Sequence, residues 1–182
     1  MRSFSVWAQL LDLGQVVVES VDVDDLGESV IVSVRPGRGM RRRCPRCRRR
    51  CPGFDRGAGR RRWRALDVGV LRTFVEADAP RVRCPEHGVI VAAVPWARHD
   101  SGHTRAFDDL AAWLVRFTSK SAVGELLRIA WRTVGAIVAR VVADADAAAG
   151  DRLAGVRRIG IDRKSTRLNS SHLARSRMPS SA

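Results

Sequence analysis

Long apolar runs, lysine and a secretory leader are what this sequence lacks. No apolar run approaches the ~20 residues that a membrane-spanning helix needs, so no membrane partner is expected. No charged, apolar and small-residue leader is evident, which argues against an oxidised extracellular protein and for a cytoplasmic one. Only two of the 33 basic residues are lysine, so arginine carries almost all of a formal charge of +14. From Arg35 to Arg64 acids are nearly absent as well, Asp55 being the one present. Such a stretch repels itself unless phosphates or a fixed fold offset the charge. Guanidinium forks suit phosphate and guanine edges, so a nucleic acid is the first partner to consider. The bland alternative is a solvated basic surface from an arginine-rich coding bias. Apolar residues make up 45% of the 182, enough for one or two small packed domains.

The cysteines are few but arranged. Cys44-Pro45-Arg46-Cys47 and Cys84-Pro85-Glu86-His87 share the form C-P-x-(C/H). Two residues between donors let one tight turn present both to the same ion. Two such turns supply the four corners of a tetrahedral Zn2+ site. Each proline stiffens its turn, and Gly88 follows the last donor where a sharp bend is needed. The competing readings are four unrelated buried thiols or a disulfide framework. Cys51, four residues past Cys47, could replace either early donor, so the set Cys44, Cys47, Cys84 and His87 keeps Cys51 as an alternative.

Around these donors the chain reads as β-rich. Residues 4–13 show a short helical spacing stopped by Gly14, followed by strands at 16–18 and 30–34 around an acidic turn. Residues 65–77 and 81–84 read as two strands joined at Asp78-Ala79-Pro80, and 89–94 as a third. Arg48, Arg49, Arg50, Arg60, Arg61 and Arg62 crowd the run between the donor pairs and are candidate phosphate contacts. Trp63 among them is either a base-stacking ring or, the favoured reading, a core residue. His99 and His103 read as linker histidines.

From Thr104 the apolar period becomes 3.6. Phe107, Leu110, Ala111, Leu114 and Phe117 share one helical face. Thr118 to Ser121 breaks that helix and caps a second, marked by Val123, Leu126 and Leu127, with Trp131 filling the turn. Val134, Ile137, Val138 and Val141 mark a third. Helix, short helix, tight turn and longer helix is the helix-turn-helix plan. It would set Arg132, Thr133, Gly135 and Ala136 against a DNA groove, with Lys120 and Arg140 nearby. A plain three-helix bundle has the same periodicity.

These pieces together resemble the N-terminal part of the ISL-three family of insertion-sequence transposases, from near the start to about Asp162. The resemblance rests on CPRC, DRGAGRRRWRALD, EADAPRVRCPEHGV, VPWARH, HTRAFDD, TSKSAV, AWRTVGAIVARVVADAD and RRIGID. It implies a zinc ribbon and a helix-turn-helix ahead of an RNase H-like domain with an Asp-Asp-Glu triad and two divalent ions. Asp162 matches the first acid of that triad, and Mg2+ belongs only to an intact parent. Residues 163–182 depart from the family. They are rich in arginine and serine and free of acids, and residues 162–172 and 176–182 read as two strings of a sequencing adapter in one frame. Without the five basic residues of this tail the charge is still +9.

The expected fold is therefore α+β: a small β-rich zinc ribbon, then an α-helical helix-turn-helix domain, with a disordered C-terminal tail. The expected divisions are 1–40, helix and β-hairpin; 41–98, zinc ribbon; 104–149, helix-turn-helix; 150–162, linker and first strand of a truncated catalytic domain; and 163–182, adapter-derived. The expected function is recognition of terminal inverted repeats in double-stranded DNA, without strand cleavage, by a nucleoid-associated protein for which a homodimer is one compatible assembly. A stand-alone zinc-ribbon and helix-turn-helix transcription regulator is the alternative.

Overall fold

A computed structural model of the chain describes residues 2–150 apart from Asp25. The strand expected at 157–161, Asp162 and the tail lie outside the described residues.

Helix α1 (Arg2–Leu10) ends before Gly14, whose φ of 69° turns the chain into β1 (Val16–Val23). The connection to β2 (Ser29–Pro36) is organised by Asp24. Its carboxylate accepts from the N–H groups of Glu28 and Ser29 and from the Ser29 hydroxyl. In β2 the alternating Val30, Val32 and Val34 point inward, as the period of two requires.

The next two long strands, β4 (Arg60–Val68) and β5 (Leu71–Asp78), form a hairpin that pairs with β2. The four-stranded sheet has the order β1-β2-β5-β4, with β2 and β5 parallel. Val32 lies opposite Val75, and Val75 opposite Trp63, so a line of buried side chains crosses three strands. Trp63 meets Trp96 edge to face, with centroids 5.5 Å apart. Leu11, Leu13 and Ala97 close this core. Trp63 is thus a core residue.

The single strand expected at 65–77 is two strands. Gly69, with φ 62°, and Val70 form the two-residue turn between the paired Val68 and Leu71. Apolar alternation runs through this turn and hides it, and the lone glycine is its only local mark. The sheet also takes strands from both sides of residue 40, so the N-terminal hairpin and the middle of the 41–98 segment share one core.

A second sheet, of order β3-β6-β7, consists of β3 (Gly53–Asp55), β6 (Arg81–Cys84) and β7 (Gly88–Val91). Its small core is Cys44, Cys51, Val82 and Cys84. Three helices follow: α2 (Arg105–Leu114), α3 (Lys120–Leu127) and α4 (Trp131–Ala149). Thr104 and Ser119 cap α2 and α3 by accepting from the N–H groups of Phe107 and Ala122. Phe107, Ala111, Val123, Leu127, Val134 and Ile137 form the helical core, and Leu66 of β4 packs against it. Phe117 and Leu126, expected among the apolar helix positions, are exposed, and so is Trp131. Phe117 falls beyond the end of α2, and Trp131 opens α4 instead of filling the turn. Residues 1–145 are one compact unit. No described helix is long and apolar enough to cross a membrane.

Candidate metal centre and nucleic-acid interface

The two C-P-x-(C/H) turns are built alike. In the first, the Cys44 N–H donates to the Arg49 carbonyl and the Arg48 N–H to the Cys44 carbonyl. Arg48, directly after the second donor, takes a left-handed φ of 60°. In the second, Cys84 closes β6 and pairs with Gly88, whose φ is 67°. Gly88 occupies the position that Arg48 fills in the first turn, and glycine adopts that conformation without a Cβ clash.

The turns face each other. The Cys44 and Cys84 sulfurs lie 3.7 and 3.5 Å from His87 Nδ1, and the Cys47 and Cys84 sulfurs are 3.6 Å apart. All four donor atoms are within 4.8 Å of one another. Zinc–ligand bond lengths at tetrahedral corners require about 3.8 Å between sulfurs and about 3.5 Å from sulfur to nitrogen. The donor set therefore fits a structural Zn2+ in type and in spacing. Cys51 stands outside it, buried beside the cluster, its sulfur 3.5 Å from the Arg49 carbonyl.

Burial would raise the Cys84 thiol, but His87 and the N–H groups of Glu86 and His87 bring it down to about 6. The thiolate is the form that binds metal. The Arg49 N–H lowers the Cys47 thiol, yet burial and the neighbouring thiols of Cys84 and Cys44 leave it raised. Burial pushes Cys51 up as well.

The candidate DNA contacts divide by what already holds them. Arg49 pairs with Glu86 across the two turns. Arg60 and Arg62 both pair with Glu76, at 2.8 and 2.6 Å, which holds that carboxyl below its usual range. Arg61 lies over the Trp63 ring and donates to the Ser101 carbonyl. Arg48, Arg50 and Lys120 are exposed with no side-chain partner among the described residues.

At the start of α4, Trp131 and Arg132 are exposed, the Arg132 guanidinium lies over the Trp131 ring, and Thr133 is half-buried. Lys120 at the start of α3 reaches to within 3.8 Å of where a Gly135 side chain would begin, so both helix starts share one side. Arg140 does not join them. It turns inward, 3.4 Å from the Ser101 hydroxyl and 3.5 Å from Asp108. Position 140 lies one turn after Ile137 on the core face, and the buried Asp108 carboxylate draws the guanidinium in.

Asp108 is a centre the sequence reading missed. Arg98, Arg140, Ser101 and His103 converge on it. Burial holds its carboxyl above the usual carboxylate range, against the pull of Ser101 and both arginines. His103, expected in a linker, stacks on Phe107 and is pushed down to about 4 by burial and by the charges of Arg140 and Arg64. Arg98 also bonds Asp109 and Asp144, tying the segment before α2 to both α2 and α4. The missed sequence signal was one acid in the first turn of α2, indistinguishable there from an ordinary cap.

Two family models match. Residues 92–142 match the helix-turn-helix domain of transposase family ISL3, and residues 41–87 match the zinc-finger of transposase IS204/IS1001/IS1096/IS1165. Two curated relatives are both described as transposase for insertion sequence element IS1557, from Mycobacterium tuberculosis strains CDC 1551 / Oshkosh and ATCC 25618 / H37Rv. Each is 54% identical over 167 residues, which is 89% of this chain and 37% of the relative. The chain thus spans little more than a third of the relatives' length. No solved structure matches it. With the donor spacing of a zinc ribbon, a three-helix reader beside it and this degree of identity, the chain belongs to the ISL3 family of transposases.

Proposed function

We propose that this chain is the DNA-recognition part of an insertion-sequence transposase and that it grips double-stranded DNA at the terminal inverted repeats of its element. The observation that carries the reading is the exposed start of α4 beside Lys120, within the segment matching a transposase helix-turn-helix. Arg132 and Thr133 read base edges, while Lys120 and Arg50 hold phosphates. The zinc ion folds the ribbon and takes no part in chemistry. Asp162 and Mg2+ belong to strand cleavage and joining by a longer parent. Two-metal chemistry needs several carboxylates on one fold, and in this reading the part played by this chain is to bind without cutting. Inverted repeats come in pairs, so a second copy of the chain is the expected partner, with nucleoid association following from DNA binding. The stand-alone regulator is the weaker reading, since both matched domains and both relatives are those of transposases.

The test is fluorescence anisotropy with labelled element-end duplex and a scrambled duplex, with Mg2+ present. Tighter binding of the end duplex without nicking is expected. Equal affinity for both duplexes, or strand nicking, overturns the reading.

A further inference from the structure

A cleft between the first zinc turn and the helical domain gathers more positive charge than its acids neutralise. Arg48 enters from the zinc turn, Arg61 from β4 and Arg105 from the first position of α2. Arg98 lines the cleft too, but Asp108, Asp109 and Asp144 already hold it. Asp100 and Asp144 are the acids of the cleft. Asp100 pairs with His99, and Asp144 stays 4.0 Å from Arg105 while lying 2.8 Å from Arg98. Arg105 thus has a long ion pair with Asp144 and no close one. Burial, then the charges of Arg98 and Arg48, outweigh the pull of Asp144 and Asp109 and hold its guanidinium below the ordinary arginine range. Arg61 is oriented by the Trp63 ring and the Ser101 carbonyl, while Arg48 lines the cleft from an exposed turn position.

From this convergence we infer that the cleft is a phosphate clamp, in which Arg48, Arg61 and Arg105 close on a backbone phosphate of duplex DNA. The inference rests on the duplex-binding reading above. Planar guanidinium forks match the oxygens of a phosphodiester, and three elements that otherwise repel gain a shared counter-charge. A phosphate held there fixes the zinc ribbon and the helix-turn-helix on one strand. It carries no base information, so it adds affinity and register without selectivity.

The test uses the zinc-loaded full chain. Arg105→Gln and Arg48→Asn, the latter chosen because asparagine tolerates a left-handed backbone, are compared with Arg72→Gln, an exposed arginine of β5 away from the cleft. Zinc content and melting confirm folding, and Arg105→Gln decides the matter alone if Arg48→Asn misfolds. Each cleft variant should bind end and scrambled duplex about tenfold more weakly. The slope of log affinity against log salt should be about one smaller, and the end-to-scrambled ratio should not change. Cleft variants that match Arg72→Gln while the parent chain binds duplex overturn the clamp alone. No duplex binding by the parent chain overturns the duplex reading and the clamp with it. Two further results overturn the clamp: inorganic phosphate raising the melting temperature of the parent but not of Arg105→Gln while DNA affinity is equal, which makes the site one for a free anion, or a loss confined to duplex RNA.

Discussion

Replacing Gly124 with alanine should weaken the helical domain even though alanine is the better helix former. Gly124 is buried in α3, and a Cβ built there lies 2.8 Å from the Ile129 carbonyl oxygen and 3.4 Å from the Trp131 nitrogen. Both are backbone atoms and cannot rotate away. The turn must retreat by roughly half an ångström, a misfit of the overpacking kind that costs about 1–3 kcal/mol. The same turn ends α3 with the Ile129 N–H donating to the Gly124 carbonyl at 2.9 Å, next to Arg128 at φ 55°. Loosening that bond adds about 1 kcal/mol, and helix propensity returns about 1 kcal/mol. The net loss is about 1–3 kcal/mol, a fall in Tm of roughly 2–12 °C for a chain of this size. Gly135 in α4 is the matched control. Its Cβ would meet only the mobile end of Lys120 at 3.8 Å, so Gly135→Ala should gain up to about 1 kcal/mol. Thermal and urea unfolding of zinc-loaded protein by far-UV circular dichroism reads both. A folded Gly124→Ala at least as stable as the parent chain would refute the close approach.

Three further outcomes are expected. Cys84→Ser should lose bound zinc and the ribbon's fold while Cys51→Ser keeps both, because only the former removes a tetrahedral donor; zinc content measured on purified variants decides this, and zinc loss from Cys51→Ser would put that thiol in the site. Arg132→Ala should weaken end binding with little change in stability, whereas Arg140→Ala should lower stability by about 1–2 kcal/mol by removing one partner of buried Asp108; the reverse pattern in anisotropy and melting would exchange their roles. Stability should also fall with acid in a window set by His103. Its folded value of about 4 lies below the ordinary 6.5, so the unfolded chain takes up the proton first. The contribution is complete above pH 6.5 and is lost progressively down to about pH 4. Urea midpoints across that window should drop less steeply for His103→Gln, and parallel profiles would dismiss the idea.

The metal donors were legible because coordination chemistry constrains spacing tightly. Two donors separated by two residues, twice, leave few other uses for those side chains. The three helices were legible because an apolar stripe every 3.6 residues has one geometric meaning, and Ser119 and Thr104 mark helix starts. What stayed hidden was non-local. Nothing near Val32 announces that it pairs in parallel with a strand some forty residues later. The turn at Gly69 is masked because Leu66, Val68 and Val70 keep alternating through it. The arginines looked equivalent in sequence, yet Glu76 claims Arg60 and Arg62, and Asp108 claims Arg140. Gly124 gave no sign of its role, since a glycine inside a helix is silent about what backbone crosses it.

The hairpin of β4 and β5 sits inside the loop that the metal closes. Cys47 and Cys84 are 37 residues apart, and the hairpin ends where the Ala79 N–H meets the Gly59 carbonyl. Once this local element has formed, roughly half of that separation no longer needs to be searched, which lowers the closure entropy by about 0.6 kcal/mol. Metal capture is then helped by a hairpin already in place, and a change that frays the Gly69 turn should slow metal uptake without touching any ligand.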